Sequence, residues 1–102
     1  MKGPIVRTQI FRLPYECPLE LAREAMIAAA LSVDPVRQDP APYVLFTEAG
    51  ESSIIAKIVY FLDDYGRQWR VNDLVNLKTI EALESKGIRL ATNRVRVEMT
   101  GV

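Results

Sequence analysis

Two adjacent carboxylates (Asp63 and Asp64), one thiol (Cys17) and a hydroxyl-and-glycine run, "TEAGESS" at 47–53, are the groups of this sequence whose types could do chemistry. Paired acids can hold a divalent cation or move protons, but both tasks need further ligands or a titratable partner. None accompanies Asp63-Asp64, which open the segment "DDYGRQ", a turn in which Gly66 can take a positive φ. Cys17 precedes Pro18 at the start of a predicted helix, where a thiol pKa can fall and reactivity rise. A nucleophile of that kind wants a base, and the chain contains no histidine, so Cys17 reads as an incidental residue at a helix start. "TEAGESS" has a single glycine and lies between two strand-like runs rather than before a helix, so it fits a hairpin turn and not a phosphate cradle. Arg94 and Arg96 make a short basic edge, but Glu98 follows them, as on a solvated strand face. Tyr65 and Trp69 flank a loop before a helix, where their amphipathic rings suit either core packing or a half-buried interface. These residues predict no catalytic group, no metal site and no bound cofactor.

The bulk properties point the same way. A chain of 102 residues, 49% hydrophobic and 25% charged, can bury a core without metal or disulfide and is expected to form one domain over 5–100. Thirteen basic residues balance thirteen acidic ones, which removes the electrostatic reason to expect nucleic acid as a partner. One cysteine excludes an internal disulfide. "MKGPIVRTQ" lacks the apolar stretch of a signal peptide. "AMIAAALSV" is about half of the roughly 20 apolar residues that span a bilayer, so the chain as it stands is expected to be soluble.

The elements that position these groups follow from patterning. "IVRTQIFRL" at 5–13 is rich in β-formers and ends at Pro14. A helix is predicted over 18–33, with Pro18 in its first turn, Glu20 complementing its N-terminus, and Leu19, Ala22, Met26, Ala29 and Val33 at helical spacing. Asp34-Pro35 is expected to end it. Strands are predicted over 43–49 and 53–62, and a second helix over 73–86 with Asn72 as N-cap. That helix carries Leu74, Leu77, Ile80 and Leu83 on a broad apolar side, and stops at Gly87 with Ile88 as the following hydrophobic contact. "NRVRVEM" closes the chain as a strand, with Val95, Val97 and Met99 on one side.

The order β-α-β-β-α-β predicts an α+β, ferredoxin-like sandwich: a four-stranded antiparallel sheet with two helices on one face. The 53–62 strand then poses a problem. Its even positions read Ile54, Ala56, Ile58, Tyr60, Leu62 and its odd ones Ile55, Lys57, Val59, Phe61, so it is apolar on both sides. One set meets the helices; the other is expected to be bare of cover from its own chain. Exposed contiguous apolar surface argues for a partner.

The ordered set Glu48, Gly50, Glu51, Ser52, Ser53, the apolar strand after it, Asp73-Leu74 and Gly87-Ile88 resembles the C-terminal cytoplasmic α/β domain of the small-conductance mechanosensitive channel (MscS-type) family. "VRTQIFRLPYECPLELAREAM" is similar to that family's opening strand, Pro-Tyr turn and Pro-started helix, so the likeness runs from residue 5 to about 99. Two departures stand out: "RLATNRV" lacks the family's Pro-aromatic-Pro turn after Gly-Ile, and the membrane helices and β-rich middle domain are absent from this sequence. The resemblance implies a structural, non-catalytic module of the cytoplasmic cage of a tension-gated ion channel that releases solutes on osmotic downshock. It implies self-association, as a homoheptamer in the full-length channel and a smaller oligomer or monomer for this piece alone. It places the module at the cytoplasmic face of the inner or plasma membrane, attached only through segments outside this sequence. On this reading Ile55, Val59, Phe61 and Trp69 are candidate subunit-interface residues.

Two other readings share the fold. A regulatory, ACT-like domain would bind a small molecule at a subunit interface and gain stability from it. An acylphosphatase-like hydrolase would need a glycine-flanked Val-Gln-Gly-Val run with a phosphate-binding arginine, and that run is not in the sequence. Fold alone hosts all three.

Overall fold

A computed structural model describes residues 4–49 and 53–90. Strand β1 (Ile5–Pro14) leads to helix α1 (Leu19–Leu31), then to the hairpin of β2 (Tyr43–Ala49) and β3 (Ser53–Leu62). A 3₁₀ turn (Tyr65–Arg67) leads into helix α2 (Gln68–Ser85). The described strands form an antiparallel sheet in the order β1-β3-β2. The expected fourth strand at 93–99, with Arg94, Arg96 and Glu98, lies outside the described residues.

The sheet and both helices share one core. Phe11 and Leu13 of β1, Val44 of β2, and Ala56, Ile58, Tyr60 and Leu62 of β3 pack with Ala22, Ala25, Met26 and Ala30 of α1 and Val71, Val75 and Leu83 of α2. Because these strand residues share one face, both helices lie on that face; α1 touches β2 and β3, and α2 touches β1. Successive strand residues alternate faces, so the odd positions of β3 point to the other side.

Both helices differ from their predicted limits. Helix α1 ends at Leu31, ahead of Asp34-Pro35. Ser32 caps it: its N–H donates to Ala28 and Ala29, and its hydroxyl donates to the Ala29 carbonyl at 2.6 Å. The N–H of Val33 reaches only back to Ala30, which tightens the last turn and terminates the α ladder.

Helix α2 begins five residues before the predicted start, so Asn72 is not its N-cap. Asp64 starts the turn instead, its Oδ1 accepting from the Arg67 N–H at 3.2 Å. The Asn72 side chain is engaged elsewhere, accepting from the Tyr60 hydroxyl and from Gln9. Gly66 sits inside the 3₁₀ turn, and among the described residues only Gly87 has a positive φ, +78°. The longer helix also turns a different side to the sheet. Val71, Val75, Thr79 and Leu83 are buried, whereas Leu74 and Leu77 of the predicted apolar side face out.

The C-terminus of α2 follows its prediction. Gly87 N–H donates to Glu84 and Ile88 N–H to Leu83, both at 2.9 Å, with Lys86 as C-cap. This is the Schellman pattern, and Ile88 is buried with Leu83 as the accompanying hydrophobic contact.

Candidate interaction surface

The groups that could have done chemistry are occupied with structural work. Arg37 Nη1 donates to both oxygens of Asp63, at 2.8 and 3.0 Å, joining the α1–β2 connection to the end of β3. Asp64 caps the 3₁₀ turn and lies 3.5 Å from Arg67 Nη1. The Cys17 thiol is pushed above its ordinary pKa, first by burial and then by the Glu16 carboxylate, the opposite of what a thiolate nucleophile requires. Among the described residues no group of three or more His, Cys, Asp or Glu could hold a metal ion. A groove of about 400 Å³ runs between the helices, lined by Ala25, Ala28, Ala29, Ala82, Ser32 and Ser85 with Lys78, Glu81 and Lys86 alongside.

The sheet face turned away from the helices is different. Facing residues in an antiparallel pair share a side. The register Val6↔Phe61, Thr8↔Val59, Ile10↔Lys57 and Arg12↔Ile55 therefore places these eight on the outer face. On the other flank Tyr43 pairs with Val59 and Leu45 with Lys57, before a bulge between Phe46 and Glu48 shifts the register. The result is a largely apolar surface across all three strands, formed by Val6 and Ile10, Ile55, Val59 and Phe61, then Tyr43 and Leu45, with Lys57 between Ile10 and Leu45 and with Thr8 and Arg12 on β1. The flanking strands carry its most exposed members, Val6 at 55%, Ile10 at 60%, Tyr43 and Leu45 each at 44%. The Tyr43 and Phe61 rings meet at 6.4 Å between centroids, tilted by 45°.

The four residues expected at an interface do not fall together. Ile55, Val59 and Phe61 lie on this outer face, but Val59 is not bare. It is 6% exposed, because Thr8 and Tyr43 flank it on the central strand. Trp69 is in the other layer, on α2, where the Arg7 guanidinium stacks over its ring at 4.3 Å. Val6, Ile10, Tyr43 and Leu45 were not singled out by sequence reasoning. Strand β1 mixes polar and apolar residues on both faces, so its period of two carries no orientation until its pairing with β3 is known.

No helix among the described residues is long and apolar enough to cross a membrane. This α+β arrangement carries its helices on one sheet face and a largely apolar surface on the other, and comparison with known proteins gives it a family. Residues 8–90 match the family "Mechanosensitive ion channel MscS, C-terminal", and the chain belongs to that family. The fold is shared with the cryo-EM structure of Arabidopsis thaliana MSL1, with TM-score 0.73, 13% identity, 90% of this chain and 35% of that chain covered. A point-substituted form of MSL1 superposes with TM-score 0.76, again at 13% identity, covering 90% of this chain and 36% of that one. The chain thus spans about a third of the length of these channel structures. No curated protein matches the sequence.

Proposed function

We propose that this chain is a non-catalytic assembly module of a mechanosensitive channel, and that the outer face of its sheet is where a neighbouring copy of the same domain docks. The observation that carries this reading is the apolar surface over Val6, Ile10, Tyr43 and Leu45, exposed beside the half-buried Phe61 on a domain whose helices cover only the opposite face. Val6 and Ile10 are already partly covered, at 55% and 60% exposed, so burying the rest would contribute about 1–1.5 kcal/mol each before the costs of association. Membership of the channel family supports a second copy as the occupant, with a homoheptamer in the full-length channel and a role in solute release on osmotic downshock. The module is taken as one ferredoxin-like domain over 5–100, its sheet completed by a fourth strand at 93–99. It would sit at the cytoplasmic face of the membrane, carried there by segments outside this sequence. Sedimentation of the purified chain at several concentrations tests the docking surface. Association that Ile10→Glu abolishes, with thermal stability retained, supports it; a variant that associates as the parent does refutes it.

A further inference from the structure

We infer that the outer sheet face of one copy receives the solvent side of helix α2 of the next, around Leu77, so that domains pair sheet to helix and not sheet to sheet. This inference rests on the reading proposed above, in which a second copy covers the outer face, and it names the part of that copy which does so.

The outer face carries a charge near its centre. Lys57 stands on the central strand in one row with Ile10 and Leu45, half-buried between them. It has no ion pair among the described residues. Arg12 and Glu48 occupy the next row, one on each side of Ile55, and their charges are opposite. Lys57 is therefore the charge that a docking partner must answer. Two outer faces laid together would bring two Lys57 ammonium groups into one apolar interface, and like charges juxtaposed there oppose association strongly. The face calls instead for an apolar surface rimmed by carboxylates.

Helix α2 presents such a surface. Val71, Val75 and Thr79 are buried and fix the side of the helix turned to the core. With 3.6 residues per turn, Leu77 lies opposite them. At 48% it is more exposed than any other leucine of the two helices. Asp73 and Glu81 stand one turn before and one turn after Leu77, on the same strip of helix surface. Both are exposed, and neither has an ion pair among the described residues. Leu74 widens the apolar part of the strip. In the docked pair Leu74 and Leu77 cover Ile10 and Leu45, and Asp73 or Glu81 receives the Lys57 ammonium.

The two surfaces lie on opposite sides of the domain, one beyond the sheet and the other beyond the helices. Contact between unlike surfaces is heterologous: every copy uses both, and the series closes into a ring when the rotation at each step allows it.

The test is sedimentation velocity of the purified chain as the parent, as Ile10→Lys, as Leu77→Lys, and as an equimolar mixture of the two variants. Both substitutions add the same sign of charge, so the two altered surfaces cannot pair with each other. Both sites are exposed, and an unchanged thermal midpoint identifies each variant as folded. At concentrations where the parent associates, each variant alone should be monomeric. The mixture should form a one-to-one complex and nothing larger, because only one intact sheet face and one intact helix strip remain to meet. A folded Leu77→Lys that associates as the parent does, or a mixture that stays monomeric or grows past that complex, would overturn helix docking and leave the outer face as the docking surface. A parent that is monomeric throughout, or an Ile10→Lys that associates equally well, would overturn the outer-face reading and this inference with it. Charge exchange is the second readout. Lys57→Glu should weaken association about tenfold or more, and adding Asp73→Lys and Glu81→Lys to the same chain should restore most of it. No weakening by Lys57→Glu, or no recovery in the exchanged chain, would contradict the pairing.

Discussion

The Tyr60 hydroxyl donates to Asn72 Oδ1 at 3.0 Å, tying the C-terminal part of the central strand to the second turn of α2. Gln9 of β1 donates to the same oxygen through its Nε2. Tyr60 is fully buried, so its hydroxyl needs this acceptor. Asn72→Ala removes the acceptor and should cost about 1–3 kcal/mol, while Tyr60→Phe, which leaves Asn72 bonded to Gln9, should cost about 1 kcal/mol. Urea unfolding of the two single variants and the double variant checks this. The double variant should lose less than the sum of the singles.

The same burial sets a pH dependence. Desolvation raises the Tyr60 phenol above its ordinary value, outweighing the opposing hydrogen bond from Gln9 and the charge of Arg7. A folded-state pKa above the unfolded one means that the native state holds its proton longer. The associated stability is complete below the unfolded value of about 10 and is lost as pH rises through the folded one. The thermal midpoint of the parent chain should therefore fall more steeply above about pH 10 than that of Tyr60→Phe. Equal slopes for the two proteins would contradict the raised pKa.

Cys17 should be a sluggish thiol. Burial and the Glu16 carboxylate both disfavour its thiolate. Alkylation by iodoacetamide at neutral pH should run slower than for a free cysteine, and Glu16→Gln should quicken it. A rate above that of the free amino acid would contradict this account.

Gly87 is required by backbone geometry rather than by space. Its φ is +78°, yet a Cβ built there would meet nothing within 4 Å. Gly87→Ala should then cost about 1–2 kcal/mol from left-handed strain alone. A Gly87→Asn variant should recover part of that loss, as seen in urea midpoints.

How far the sequence could be read depended on whether each signal was local. The end of α2 was legible because Gly87 and Ile88 act on carbonyls within one turn. The start was not, because Asn72 resembles a cap but spends its amide on Tyr60 and Gln9, distant in sequence, while Asp64 does the capping. The two-sided apolar character of β3 was visible in its alternation. Which neighbours extend its outer face was not, since Val6, Ile10, Tyr43 and Leu45 join it only through strand register. Trp69 was legible as an amphipathic ring near a helix start, but its layer depends on where α2 begins.

The central claim is that the outer sheet face binds another copy of this domain, and sedimentation velocity of the parent chain beside Ile10→Glu tests it most directly. Ile10 is 60% exposed and outside the buried core, so the glutamate should leave the thermal midpoint unchanged. The account predicts that the parent's sedimentation coefficient rises with concentration while that of Ile10→Glu stays at the monomer value. A parent chain that remains monomeric throughout, or a folded Ile10→Glu that associates equally well, would contradict it.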